Sequence, residues 1–284
     1  MSTQARQGVI HLNRYYHFTE LMRDPDIKGE LLRYQSNYDD AIQSVLILKP
    51  AKQKPEKLFF FFHGMDGDSG DGVVVRDLVK RLHAIVIALG GRGPAWLSSA
   101  FLADAEQVIR NYSNGSVGFH LIGVSMGGTQ ALALAGLLPE DLRESVLGVI
   151  ALIPGANLEA MVTRSAHERV RKTVRDSADG DLTTLRQRSP VQVLSQYRAG
   201  LPFVIFHNQQ DTLLVTEELE TFIADLRGRH HPVTTFSVPG EHNFTYKNFD
   251  YREVFDRLGS DGTEHTAPLV ADETKESTNH PVNE

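Results

Sequence analysis

From residue 57 onward the chain alternates between short, unbroken apolar runs and stretches whose apolar residues recur every three or four positions. No other feature narrows the possible folds as much. "KLFFFFHG" (57–64) has the pattern of a strand covered on both faces. Val75, Leu78, Val79 and Leu82 then repeat at helical spacing, and "AIVIALGG" (84–91) reads as the next strand. The cycle continues with a helical stripe at Leu97, Phe101, Ala105, Val108 and Tyr112, then "VGFHLIGVS" (117–125). A helix is expected from near Gly127 through "TQALALAGLL", followed by the strand "SVLGVIALIPG" (145–155). Further on come "PFVIFHNQQD" (202–211) and a helix striped by Leu219, Phe222, Ile223 and Leu226. Thr216 is its expected N-cap and Gly228 its stop. "PVTTFSVPGEH" (232–242) is the last strand, and Tyr251, Val254, Phe255 and Leu258 stripe a final helix. "GELLRYQS" and "AIQSVLILKP", before residue 57, read as antiparallel strands at the entry edge. The expectation is an α/β fold: a mostly parallel twisted sheet with helices on both faces.

Two segments break the rhythm. Residues 157–200 are too long for an ordinary crossover and carry charged, helix-like sequence, so they are expected to form a small cap-like insertion within a domain spanning 1–258. Residues 259–284 are polar and nearly free of large apolar side chains, the composition of a disordered tail.

Composition excludes several functions. A net charge of −7 argues against a general nucleic-acid binder. The chain has no cysteine, which removes disulfides, thiolate metal sites and cysteine nucleophiles. No apolar run approaches the roughly 18 residues of a membrane span, and the first residues lack a signal-peptide pattern, so a soluble cytoplasmic protein is expected. The sequence leaves the oligomeric state open.

The segment "HLIGVSMGGTQ" (120–130) carries the chemistry. Glycine in a strand or helix interior costs up to about 1 kcal/mol relative to alanine, so three glycines around one serine mark a demand for unusual backbone geometry. Gly123-Val124-Ser125-Met126-Gly127 fits the G-x-S-x-G nucleophile elbow, with a buried strand before it and a helix after it, as that motif requires. A serine hydroxyl needs a base, and the base needs an orienting acid. Asp211 ends one later strand and His242 follows the last, in the chain order Ser, Asp, His expected of such a fold.

Rivals are placed less well. His230 and His231 precede a strand and sit at the wrong end of the sheet, while His120 and His207 lie within strands as buried structural groups. Glu159 is the alternative acid, but it lies beyond the strand end.

With "HG" at 63–64, the elbow at 123–127, Asp211 and His242, the chain resembles the α/β-hydrolase superfamily in its serine esterase and lipase branch over residues 40–258. The resemblance implies an oxyanion hole made by the backbone N–H groups of Met65 and Met126. It implies a carboxylic ester hydrolase acting on small acyl esters through an acyl-enzyme. A thioesterase or acyltransferase is the nearest alternative, and a catalytically silent binding module would lack one of the three residues. No cofactor or metal is implied.

Three further signals have two readings each. "HGMDGDSGDG" is acidic and glycine-rich, but Asp71 stands where an EF-hand loop needs glycine, so a flexible loop is expected. Asp66 is expected at the pocket rim. Trp96, and the Met65 and Met126 thioethers, either line the pocket or fill the core. Arg164, Arg169, Arg171, Lys172 and Arg175 form either a solvated face or an attractor for an anionic thioester.

Overall fold

The structure, a computed structural model, describes residues 24–113, 118–178, 181–238, 240–242, 251–258 and 264–266. Nine strands form one sheet: β1 (Ile27–Gln35), β2 (Ile42–Pro50), β3 (Lys57–Phe62), β4 (Ala84–Leu89), β5 (Phe119–Val124), β6 (Val146–Leu152), β7 (Phe203–Asn208), β8 (Val233–Val238) and β9 (Glu264–Thr266). Their spatial order is β1-β2-β4-β3-β5-β6-β7-β8-β9. β1 with β2 and β2 with β4 are antiparallel, and every other pair is parallel. The helices are α1 (Arg76–Leu82), α2 (Ser99–Ser113), α3 (Met126–Leu137), α4 (Glu140–Arg143), α5 (Leu158–Arg164), α6 (Glu168–Asp176), α7 (Leu182–Arg188), α8 (Thr216–Gly228) and α9 (Tyr251–Asp256).

The unbroken apolar runs serve two cores at once. On β3, Leu58, Phe60 and Phe62 point into one layer, and Phe59 and Phe61 into the other, as the two-residue period of a strand dictates. The first layer is closed by α2, α3, α8 and the insertion. The second is closed by a 3-10 turn (Ser69–Val75), α1 and Val254 of α9. α3 is buried almost all round, which suits its run of alanine, glycine and leucine. Among the described residues no helix is long and apolar enough to cross a membrane.

Two details depart from expectation. Val215, with φ at 60°, takes the N-cap of α8 in place of Thr216. The Thr216 hydroxyl instead donates to the Asp211 carbonyl at 2.8 Å, so it braces the turn after β7. The disordered tail expected over 259–284 falls outside the described residues except for Glu264–Thr266, which that reading did not include as a strand and which pairs in parallel with β8.

Candidate active site

The carboxyl ends of the parallel strands gather the candidate residues at one edge of the sheet. Ser125 belongs to strand and helix at once. Its N–H donates to Leu152 O at 2.8 Å, continuing the β5–β6 ladder, and its carbonyl accepts from Thr129 N at 3.0 Å, opening α3. Reversing direction within one residue drives its backbone to φ 55°, ψ −117°. Such a conformation costs a non-glycine residue about 1–3 kcal/mol and persists only where its surroundings enforce it.

The flanking glycines are that enforcement. A methyl on Gly123 would lie 2.1 Å from the Gly127 carbonyl oxygen, and one on Gly127 would lie 2.0 Å from the Phe62 carbonyl oxygen. Strand β5, helix α3 and the end of β3 therefore meet backbone to backbone.

From this turn the Ser125 Oγ stands 2.8 Å from His242 Nε2, and His242 Nδ1 stands 2.6 Å from Asp211 Oδ2. The Asp211 side chain is buried, and its other oxygen accepts from Leu213 N at 2.8 Å and Leu214 N at 3.1 Å. Both carboxylate oxygens are thus engaged, which fixes the plane that His242 meets. The structure brings Ser125, His242 and Asp211 into one hydrogen-bonded row. Glu159 pairs with Arg186 on the surface, His120 and His231 are buried away from the row, and His207 is buried within β7, where it lines the same small cavity as Asp211 without joining the row.

The turn after β3 faces the serine. Gly67 N donates to Gly64 O at 2.9 Å, and a methyl on Gly64 would lie 3.9 Å from Ser125 Cβ. Met65 follows directly, and Met126 is the first residue of α3, where N–H groups lack an intrahelical acceptor and the helix dipole favours negative charge. Among the described residues neither N–H has an acceptor. His63, buried beneath the turn, lies 2.6 Å from Gly64 O through Nδ1 and 2.9 Å from Gly90 O through Nε2. It wedges the turns after β3 and β4 together.

Several open readings now resolve. Met126 is fully buried and Met65 packs against the same core layer, so both thioethers fill space. Trp96 is also core: its indole N–H donates to Thr173 Oγ1 at 3.0 Å and its carbonyl accepts from Gln130 at 2.6 Å. In the acidic loop, Asp68 and Asp71 form a reciprocal cap on the 3-10 turn. Among the described residues no cluster of potential ligands could hold a metal ion. Most of the basic cluster is taken up by neighbours. Arg164 pairs with Glu217 and Glu218, Arg169 with Asp66, and Lys172 with Asp176, while Arg171 donates to Ser165 O. Sequence reasoning missed the parts played by His63, Thr173 and Thr216. Thr173 meets Met65 across 108 positions of chain, and no local pattern announces such a contact.

No family model matches the sequence, and no curated protein matches it either. Solved structures do. An esterase of Pyrobaculum calidifontis superposes with a TM-score of 0.67 at 14% identity, covering 91% of this chain and 91% of that one. Esterase B of Lactobacillus rhamnosis superposes at 0.66 with 18% identity, over 89% and 91% of the two chains. The fluorophosphonate-binding serine hydrolase F of Staphylococcus aureus gives 0.62 at 16% identity, over 81% and 97%. The chain has the α/β-hydrolase fold. Within that hydrolase fold the antiparallel β1 and β2 extend one edge, and the insertion of α5, α6 and α7 lies on the side of the Met65 and Trp96 turns.

Proposed function

We propose that the protein is a serine hydrolase that cleaves carboxylic esters through an acyl-enzyme. The observation that carries this reading is the unbroken row Ser125 Oγ–His242 Nε2–His242 Nδ1–Asp211, hung from a strained turn. His242 takes the Ser125 proton as Oγ bonds to the ester carbonyl carbon. Asp211 holds the imidazole with Nδ1–H toward itself and stabilises the imidazolium. The N–H groups of Met65 and Met126 receive the negative charge that develops on the carbonyl oxygen. The carbon–oxygen bond to the alcohol then breaks, and His242 returns the proton to the leaving oxygen. Water repeats the attack on the acyl-serine, with His242 again as base, and frees the carboxylic acid.

The esterases and the serine hydrolase of similar fold support the reading. Residues 157–200 act as a cap over this site within the single domain. The ester reading is preferred to an anionic thioester because the basic residues are largely consumed by acidic neighbours. A fluorophosphonate probe is expected to label Ser125 in the wild type and not in Ser125→Ala, which keeps its fold but loses turnover of p-nitrophenyl esters. Labelling that survives the substitution sinks the assignment.

A further inference from the structure

The turn that carries the Met65 N–H is gripped from outside by one helix. Its two central residues, Met65 and Asp66, each meet a side chain of α6. Thr173 Oγ1 lies 3.3 Å from Met65 Sδ. The Arg169 guanidinium closes a two-pronged pair on the Asp66 carboxylate. Arg169 and Thr173 are four residues apart and so share one helix face. Thr173 is itself fixed by the buried Trp96 indole N–H at 3.0 Å, so the clamp is anchored in the core on one side and exposed on the other.

Resting on the hydrolase reading above, we infer that Arg169 and Thr173 are positioning residues that hold the Met65 N–H on the developing oxyanion. The insertion then belongs to the transition-state machinery as well as covering the site. The physical reason is the geometry of charge stabilisation. A backbone donor works only when it sits at hydrogen-bond distance from where the oxyanion will be, and loss of one donor typically costs about 10²–10³ in kcat. His63 supports this turn from below and Met65 packs against the first core layer, while the contacts with Thr173 and Arg169 reach the turn from the insertion.

The test compares Thr173→Val, Thr173→Ser and Arg169→Gln with the swapped pair Asp66→Arg/Arg169→Asp, using p-nitrophenyl butyrate. Two inhibitors of equal chain length separate the states: a trifluoromethyl ketone, which forms a tetrahedral oxyanion on Ser125, and the matching methyl ketone as ground-state ligand. Thr173→Val is expected to lower kcat by about 5–30-fold with KM within about twofold. It should weaken the trifluoromethyl ketone by the same factor and leave the methyl ketone unchanged. Thr173→Ser should recover the rate. Arg169→Gln should act in the same direction but less, and the swapped pair should restore it. Arg169 lies on the surface, so its variant folds even where Thr173→Val does not. Wild-type kcat in Thr173→Val and Arg169→Gln overturns the clamp, as does equal weakening of both ketones. A wild type that takes no fluorophosphonate label overturns the clamp together with the hydrolase reading. An active, labelled wild type with unaffected variants overturns the clamp alone.

Discussion

The turn at Ser125 and the turn at Met65 face each other across less than one side chain, with the Gly64 Cβ position 3.9 Å from Ser125 Cβ. They are held by different forces. Around Ser125 the contacts are backbone against backbone, sealed between β3, β5 and α3, where neither salt nor pH has any purchase. Around Met65 the outer contacts are side chains, one of them an ion pair whose partners are both well exposed. An exposed pair of this kind is screened by salt and contributes little to stability. The proposed nucleophile is therefore fixed by the architecture, and the proposed oxyanion donor is tuned by the insertion.

Removing the hydroxyl is the strongest way to separate the two. Ser125→Gly is expected to lower ester turnover by a factor of roughly 10⁴ or more. The same change should raise stability by about 1 kcal/mol, because glycine accepts φ 55° without strain. Kinetics and calorimetry on one sample check both signs, and a lower Tm would show that the elbow holds no strain.

Next in size is the backbone contact. Gly127→Ala places a methyl against the Phe62 carbonyl, where only main-chain movement can make room. A loss of about 3 kcal/mol, or roughly 6–12 °C in Tm, is expected by thermal melting. A mild effect would mean that the strand–helix junction is more pliable than the geometry implies.

A comparable effect, confined to acid, is expected at the start of β5. His120 is buried and stacked on Phe59 at 4.8 Å, with Phe255 edge-on at 5.2 Å and, among the described residues, no hydrogen-bond partner for Nδ1. Burial pushes its pKa down to about 4, against the opposing pull of a hydrogen bond with the Leu58 backbone, and nearby Lys57 adds to the depression. The folded state thus refuses a proton that the unfolded chain accepts below about pH 6.5. Stability is complete above that pH and falls as pH drops toward 4, by up to about 3 kcal/mol. His120→Phe should flatten this part of the stability–pH curve without altering turnover at neutral pH. Urea melts of both proteins between pH 4 and pH 7 measure it.

The smallest effect is a control for the clamp. Arg164 makes an exposed ion pair like that of Arg169, but to Glu217 and Glu218 of α8 instead of the Met65 turn. Arg164→Gln should shift Tm by no more than about 2–4 °C and leave kcat unchanged, in contrast to Arg169→Gln.

What could be read from the sequence follows the range of the forces involved. The strands and stripes were legible because Phe59 to Phe62 or Leu219 to Leu226 must satisfy a local period wherever they pack. Ser125, Asp211 and His242 could be placed at strand ends for the same reason, and the structure holds them within hydrogen-bond reach. Thr216 was misplaced as a cap because its hydroxyl serves the Asp211 carbonyl, a choice that depends on how the turn folds back. The uses of Trp96 and Arg169 stayed open because their partners, Thr173 and Asp66, lie 77 and 103 positions away.

The same distances govern how the protein comes into being. Ser125 and His242 are separated by 117 positions of chain, and His242 and Asp211 are brought together only when the turns after β7 and β8 have formed. Loop closure over such spans is slow, because its entropic cost must be met before the contacts reward it. The contacts that bend the serine turn need only β3, β5, β6 and α3, whereas the partners proposed to activate its hydroxyl come from chain that follows β7 and β8. On the hydrolase proposal, reactivity at Ser125 arrives only when Asp211 and His242 have docked.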